Sequence, residues 1–154
     1  MAVILLPLMF LCTACNEDVS DGVITCKMRN GSNGSVGFTL CENDIRIDRA
    51  NNFYSSSNSY KYQDGEFVDM GTKRISKIKN IPTQGWAPEV AVLPGHGYIF
   101  RTKHWYFTET EISWDGSYWY GRIYVVGYTE SASDGGIISA EVQYKESSTP
   151  GVLD

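Results

Sequence analysis

Short stretches of alternating apolar and polar residues recur along most of this chain. Residues 23–29 place Ile24, Cys26 and Met28 on one side and polar residues on the other, which is the period of a half-buried β-strand. Similar stretches, bounded by Asn, Asp, Gly or Pro, occupy residues 36–41, 45–48, 66–70, 90–93, 97–101 and 136–144. The pattern predicts one all-β antiparallel domain, either a β-sandwich or a small β-barrel.

Two segments depart from this alternation. The three-residue spacing of Ile75, Ile78 and Ile81 predicts one helical turn, which Pro82 limits in length. Residues 49–65 are mostly polar and predict a loop.

The densest aromatic stretch, residues 104–127, has Asp115-Gly116 at its centre, a strong signal for a two-residue hairpin turn. Folding the chain there pairs Trp114 with Ser117, Ile112 with Trp119 and Glu109 with Arg122. One face then carries mainly core residues. The other face carries the six predicted ligand contacts: Trp105, Glu109, Tyr118, Tyr120, Arg122 and Tyr124. Tyrosine and tryptophan offer flat apolar surfaces with a polar edge, which suit sugar rings or protein partners. The alternative is that a second sheet or a loop covers these rings.

The first residues resemble an export signal. Residues 2–11 form an uncharged apolar run that is too short to span a membrane but fits the core of a signal peptide. The run leads into Thr13-Ala14-Cys15, which resembles the lipobox of bacterial lipoproteins, although Cys12 stands where that pattern usually has Leu. The resemblance implies a signal peptide at 1–14 and a lipidated Cys15. Asn16-Glu17-Asp18 resembles the surface-export signal of Bacteroides-type lipoproteins.

Two cysteines, Cys26 and Cys41, remain after this segment. If Asn33-Gly34 forms a two-residue hairpin, the two face each other at a distance that a disulfide spans. A register shifted by one residue sorts the apolar residues better but separates the cysteines. Both alternatives stay open.

Composition narrows the classes of function. The net charge of −5 argues against nucleic-acid binding, which depends on clustered Lys and Arg. The two histidines, His96 and His104, lack ligand spacing with Cys or carboxylates, so we expect no metal site. No glycine-rich stretch has the context of a phosphate-binding loop, so we expect no cofactor. The carboxylate pairs Glu109/Glu111 and Asp44/Asp48 are too common a feature to indicate a glycosidase.

Several segments together resemble a family of uncharacterised lipoproteins from gut Bacteroidetes. They are residues 50–53, 85–98, 122–128 and 133–138, in addition to the lipoprotein-like start. The resemblance implies location and kinship but no catalytic residue. Relative to that pattern, this chain carries extra residues at 102–117.

These observations predict a signal peptide at 1–14, a lipidated N-terminus and linker at 15–22, a β domain at 23–146 and a flexible tail at 147–154. We expect a lipoprotein anchored in the outer membrane, facing the periplasm or the cell surface, with a non-catalytic domain that binds glycans through the aromatic hairpin. Alternatives are an assembly subunit that docks on another envelope protein and, third, a small hydrolase.

Overall fold

A computed structural model describes residues 22–29, 36–56 and 65–154. The signal peptide, Cys15 and the Asn33-Gly34 turn lie outside the described residues. The described part contains nine strands and one 3₁₀ turn at Ile75–Lys77, where the helical turn was predicted. The strands are β1 (Ile24–Arg29), β2 (Phe38–Leu40), β3 (Asn43–Ile47), β4 (Asn52–Ser56), β5 (Glu66–Asp69), β6 (Glu89–Ala91), β7 (Gly97–Phe107), β8 (Ile112–Glu130) and β9 (Ile137–Glu146).

The strands form two antiparallel sheets that pack face to face as a β-sandwich, which decides between the two predicted architectures. One sheet has five strands in the order β1-β9-β8-β7-β5, and the other has four in the order β2-β3-β4-β6. Alternate residues of both sheets face the space between them and form one core. Phe53 of β4 meets Tyr98 of β7 edge to face at 5.3 Å, which links the two sheets.

Strand β4 lies inside the segment predicted to be a polar loop. Asn51 has φ +64° and Asp48 accepts hydrogen bonds from the main-chain N–H groups of Ala50 and Asn52, so the chain reverses tightly before β4. Phe53 then pairs with Ile47 and is fully buried. One buried ring and the pairing with β3 outweigh a local composition that favours a loop.

Cys26 and Cys41 are free thiols in this structure. Strand β1 pairs with β9 and β2 pairs with β3, so neither register considered for a β1–β2 hairpin forms. Cys26 lies opposite Val142 of β9, whereas the main-chain N–H of Cys41 binds the carboxylate of Glu146. The two thiols therefore have different neighbours along β9.

Residues 147–154, predicted to be a loose tail, lie against the outer face of the five-stranded sheet. The N–H of Ser147 donates to the carbonyl of Tyr120 at 2.9 Å, and the N–H of Gly151 donates to that of Tyr118 at 2.8 Å. Leu153 packs into a second apolar cluster, formed by Ile78, Ile99 and Tyr120 with Met70, Ile81, Trp86 and Tyr118 around them. The outer face of this sheet is therefore partly covered.

Candidate functional site

The β7–β8 hairpin reverses at residues 108–111 rather than at Asp115-Gly116. The N–H of Thr108 donates to the carbonyl of Glu111 at 2.9 Å, and the N–H of Glu111 donates to the Thr108 hydroxyl at 3.0 Å. The loop between them has two residues, the commonest hairpin length. The predicted turn is therefore wrong, and so are the pairs derived from it: Trp114 with Ser117, Ile112 with Trp119, and Glu109 with Arg122.

Asp115, Gly116 and Ser117 instead form a bulge in β8 opposite His104 of β7. The Asp115 carboxylate accepts the N–H of Ser117 at 2.8 Å and its hydroxyl at 2.6 Å, and lies 2.8 Å from Nδ1 of His104. The bonds from Ser117, followed by that from His104, lower the pKa of Asp115 to about 2. Gly116 has φ +90°, a left-handed conformation that favours glycine. The Asp-Gly pair is thus part of a bulge and does not reverse the chain.

This bulge brings together the residue types of a hydrolase triad, but their arrangement differs. In a Ser-His-Asp triad the acid and the serine bind opposite nitrogens of the imidazole. Here the Ser117 hydroxyl lies 3.5 Å from Nδ1 of His104, the same nitrogen that faces Asp115. His104 therefore cannot pass a proton from Ser117 while Asp115 orients it, and the cluster holds the shape of the bulge.

The observed register places Trp105, Trp114 and Tyr118 on one face of the hairpin, and we call these three residues the aromatic ledge. Trp105 lies directly opposite Trp114, and the Tyr118 ring meets that of Trp114 edge to face at 5.4 Å. Trp114 is 40% exposed, and the other two rings are half-buried. Lys103 lies on the same face, with its Nζ 5.6 and 5.3 Å from the Trp105 and Trp114 ring centroids.

The ledge lies near the tip of the hairpin. Among the described residues, β5 pairs with β7 as far as Arg101 and β9 pairs with β8 as far as Gly121, beyond which Ser147 and Gly151 bond the main chain of Tyr120 and Tyr118. Beyond the ledge, Phe107 pairs with Ile112, and both are exposed. The indole N–H of Trp105 is buried and donates to no atom among the described residues. The accessible part of the ledge is therefore a flat apolar surface, which suits a ligand with a flat apolar face of its own.

The aromatic row continues from the ledge onto the sandwich, where it becomes covered. The Arg101 guanidinium lies between the rings of Trp86 and Tyr118, at 4.0 and 4.4 Å from their centroids. It also donates to the carboxylate of Glu66 at 2.8 Å. Because its planar cation stacks on both rings, Arg101 fixes the inner edge of Tyr118.

Tyr120 and Arg122, two of the predicted ligand contacts, are buried beneath the segment around Ile78 and the C-terminal segment. Tyr120 is 7% exposed and Arg122 is 4% exposed. The Arg122 guanidinium donates to the carbonyl of Ile78 at 3.4 Å and to the main-chain oxygen of Asp154. Burial lowers the pKa of Arg122.

The remaining predicted contacts are separated from one another. Glu109 is exposed in the hairpin turn and forms no pair with Arg122. Tyr124 is half-buried opposite Gly97, about 20 Å along β8 from Tyr118 at the usual rise of a strand. Of the six predicted contacts, only Trp105 and Tyr118 belong to the exposed cluster.

Sequence reasoning missed Trp114 and Lys103 as members of this cluster. The tetrapeptide Thr108-Glu109-Thr110-Glu111, polar and flanked by Phe107 and Ile112, was the signal for the true turn. A reversal there places Trp105 opposite Trp114, and the bulge then returns Tyr118 to the same face.

A shallow pocket of about 240 Å³ lies elsewhere on the sandwich, where β8 bulges after Val125. Its lining includes Lys27, Gly127, Ser139 and Glu141. Across residues 22–29, 36–56 and 65–154, no group of three or more His, Cys, Asp or Glu side chains is placed to hold a metal ion. No helix in these same ranges has the length and apolar character needed to cross a membrane.

Together, the fold and the ledge define a single-domain antiparallel β-sandwich with an exposed aromatic hairpin. The chain belongs to the family described as Domain of unknown function (DUF5036), which matches residues 25–150. No curated protein and no solved structure matches the chain.

Proposed function

We propose that this chain is a lipid-anchored lipoprotein of the Bacteroidetes cell envelope, held in the outer membrane through Cys15, and that its β-sandwich is a non-catalytic module that binds glycans. The observation that carries the binding role is the aromatic ledge. Paired indoles with an adjacent tyrosine offer stacking surfaces for pyranose rings. The 40% exposure of Trp114 leaves its ring open to a ligand.

The lipid anchor is supported by the apolar run at residues 2–11 and the small residues before Cys15. Cys12 provides a matched control within the same segment. We expect metabolic labelling with a palmitate analogue to mark the wild-type chain and a Cys12→Ser variant, and to leave a Cys15→Ser variant unlabelled and in the soluble fraction. Equal labelling of the Cys15→Ser variant would remove the anchor from the proposal.

The glycan role is tested by a polysaccharide and glycan-panel binding assay on the purified full chain. A double variant, Trp105→Ala with Trp114→Ala, removes the ledge. Two stacking contacts of about 1 kcal/mol each correspond to a roughly thirtyfold loss of affinity. Tyr106→Ala is the control, because Tyr106 is exposed on the same strand but on the opposite face. Affinity that is unchanged in the double variant, or that falls equally in the control, contradicts this site.

A second candidate function, docking on another envelope protein, is favoured by Phe107 and Ile112. The Ile112 side chain is 60% exposed and extends the ledge with aliphatic surface that a sugar does not require. In this case the wild type binds no glycan, and cross-linking in intact cells captures one stoichiometric partner that is lost in an Ile112→Asp variant. A small hydrolase is the weakest candidate, because the Ser117, His104 and Asp115 cluster has the wrong arrangement for nucleophilic catalysis.

A further inference from the structure

Arg122 is a buried cation whose Nε has no hydrogen-bond partner among the described residues. Its two terminal nitrogens donate to the main-chain oxygens of Ile78 and Asp154, and its Nε donates to no atom of the described residues. Buried guanidinium groups are usually paired with an acid, often through two parallel hydrogen bonds, because an uncompensated buried charge is costly. The acid beside Arg122 is Asp154, whose charge opposes the effect of burial on the pKa of Arg122, and the Nε–H is left over for a further acceptor.

A second cation lies beside it. Lys145 of β9 is directly opposite Arg122 of β8, so two like charges share the outer face of the sheet. Like charges in directly opposed positions destabilise a sheet unless an anion lies between them. The position therefore has a local excess of positive charge in a chain whose net charge is −5.

The C-terminal segment supplies an anion to this position. The Asp154 carboxylate accepts hydrogen bonds from the N–H and the hydroxyl of Ser148, and its main-chain oxygen binds Arg122. Those bonds from Ser148, together with the charge of Lys145, lower the pKa of Asp154. Leu153 packs on Ile78 and Tyr120 next to it. Residues 151–154 thus cover the cations as a small strap.

We propose that Arg122 and Lys145 form an anion-binding subsite for an acidic sugar, and that residues 151–154 occupy this subsite until such a ligand displaces them. This inference rests on the proposed glycan-binding function and names its substrate class: a glycan whose pyranose rings carry carboxylate or sulfate groups. The subsite lies on the same face of β8 as the aromatic ledge, since Tyr118, Tyr120 and Arg122 alternate along one strand. Neutral rings stack on the ledge while the acidic substituent reaches the cations.

The strap is a short segment with few contacts to the sheet. Gly151 has φ +79° and follows Pro150, and an added Cβ there would meet no atom within 4 Å. Three contacts join the strap to the sheet: the hydrogen bond from the Gly151 N–H to the carbonyl of Tyr118, the Leu153 side chain, and the bond from Arg122 to the main-chain oxygen of Asp154. Removal of the strap uncovers the Arg122 guanidinium, whereas Tyr120 keeps its contacts with Ile78, Trp86 and Tyr118.

The test compares polygalacturonate, chondroitin sulfate and neutral dextran as ligands of the full chain and of a chain that lacks residues 152–154. Without the strap, affinity for the acidic polymers should rise about tenfold, the effect of one charge-assisted contact, while affinity for dextran stays the same. Preference for one acidic polymer over the other tells whether carboxylate or sulfate is the natural substituent. Arg122→Gln in the shortened chain should abolish the gain, and Lys27→Gln on β1 of the same sheet should leave it intact.

Two outcomes overturn the inference and leave the proposed function standing. In the first, the affinity of the shortened chain rises equally for dextran and for the acidic polymers. In the second, its affinity rises for none of them while the wild type binds through the ledge. A wild type and a shortened chain that both bind no polysaccharide overturn the proposed function as well. If the shortened chain fails to fold, hydrogen exchange on the intact chain decides. Polygalacturonate should accelerate exchange of the Gly151 N–H, and unchanged or slower exchange refutes displacement.

Discussion

Tyr120→Ala should destabilise the fold and Trp114→Ala should not, although sequence patterning places both residues in the same aromatic hairpin. Tyr120 is 93% buried among Ile78, Trp86, Tyr118 and Leu153. A tyrosine buries about 150–250 Å². At about 25 cal/mol per Å² its removal would cost about 4–6 kcal/mol. The layer over Tyr120 is thin and can relax into the space left by the ring, so we expect a loss near 3 kcal/mol in the free energy of unfolding.

Trp114 contacts Tyr118 edge to face and leaves 40% of its surface in solvent. Its truncation removes this aromatic contact and one solvent-exposed hydrogen bond, from its indole N–H to the carbonyl of Ser117 at 2.6 Å, together about 1 kcal/mol. Urea unfolding followed by circular dichroism gives both free energies, and the melting temperature provides a second measurement. We expect a fall of about 10 °C for Tyr120→Ala and of 3 °C or less for Trp114→Ala. Tyr120→Phe keeps the ring and serves as the control.

Glycan affinity should depend on Trp114 and not on Tyr120, which is the reverse of the order expected for stability. Trp114→Ala should weaken binding in a fully folded protein, whereas Tyr120→Phe should leave it unchanged. If Tyr120→Ala unfolds within about 1 kcal/mol of the wild type and still loses binding, then Tyr120 is an exposed contact and the covered outer face described here is refuted.

Three further predictions follow from single sites. Gly121→Ala should lower the free energy of unfolding by about 1–3 kcal/mol, because its Cβ would lie 2.6 Å from the buried Leu40 side chain. Gly127→Ala, whose Cβ meets open space, is the control. Equal melting temperatures of the two variants would contradict the close approach of the sheets at Gly121. The Asp115 carboxyl has a pKa lowered to about 2, so its bonds in the bulge are fully formed above its unfolded pKa near 3.9 and weaken as the pH falls toward 2. Nuclear magnetic resonance signals of Ser117 should change in that window, and a transition there that persists in Asp115→Asn would assign the effect elsewhere. Burial raises the pKa of the Cys26 thiol to about 11 and that of Cys41 still further. Iodoacetamide at pH 8 should therefore modify both thiols far faster in urea than in the folded protein. A mass of the non-reduced protein 2 Da below that of the thiol form would instead show a disulfide.

Several elements were predictable because their signals are local. Alternation identified β1, β5 and β9 to within one or two residues, since a half-buried strand must place apolar side chains at every second position. The isoleucines at 75, 78 and 81 identified the position of the 3₁₀ turn. These predictions needed no knowledge of which strands would pair.

The hairpin shows where a local signal becomes ambiguous. Asp115-Gly116 is typical of a tight turn, but the same pair also suits a bulge. Both structures need a side chain that accepts a hydrogen bond, followed by a residue with positive φ. The choice depends on the pairing of Trp105 with Trp114 and of Phe107 with Ile112, which the sequence does not rank above the alternatives. One misplaced turn was enough to move Trp114 to the wrong face.

Local sequence patterns predict the class of fold, the position of most strands and the presence of an aromatic surface on β8, since each of these follows from the period and composition of a short segment. Tertiary structure decided which aromatic residues are exposed. Tyr120 and Arg122 became buried when residues 75–78 and 151–154 packed over them, contacts between positions more than thirty residues apart. Periodicity assigns a side chain to one face of a strand, but whether that face meets solvent depends on segments that are distant in sequence and near only after folding.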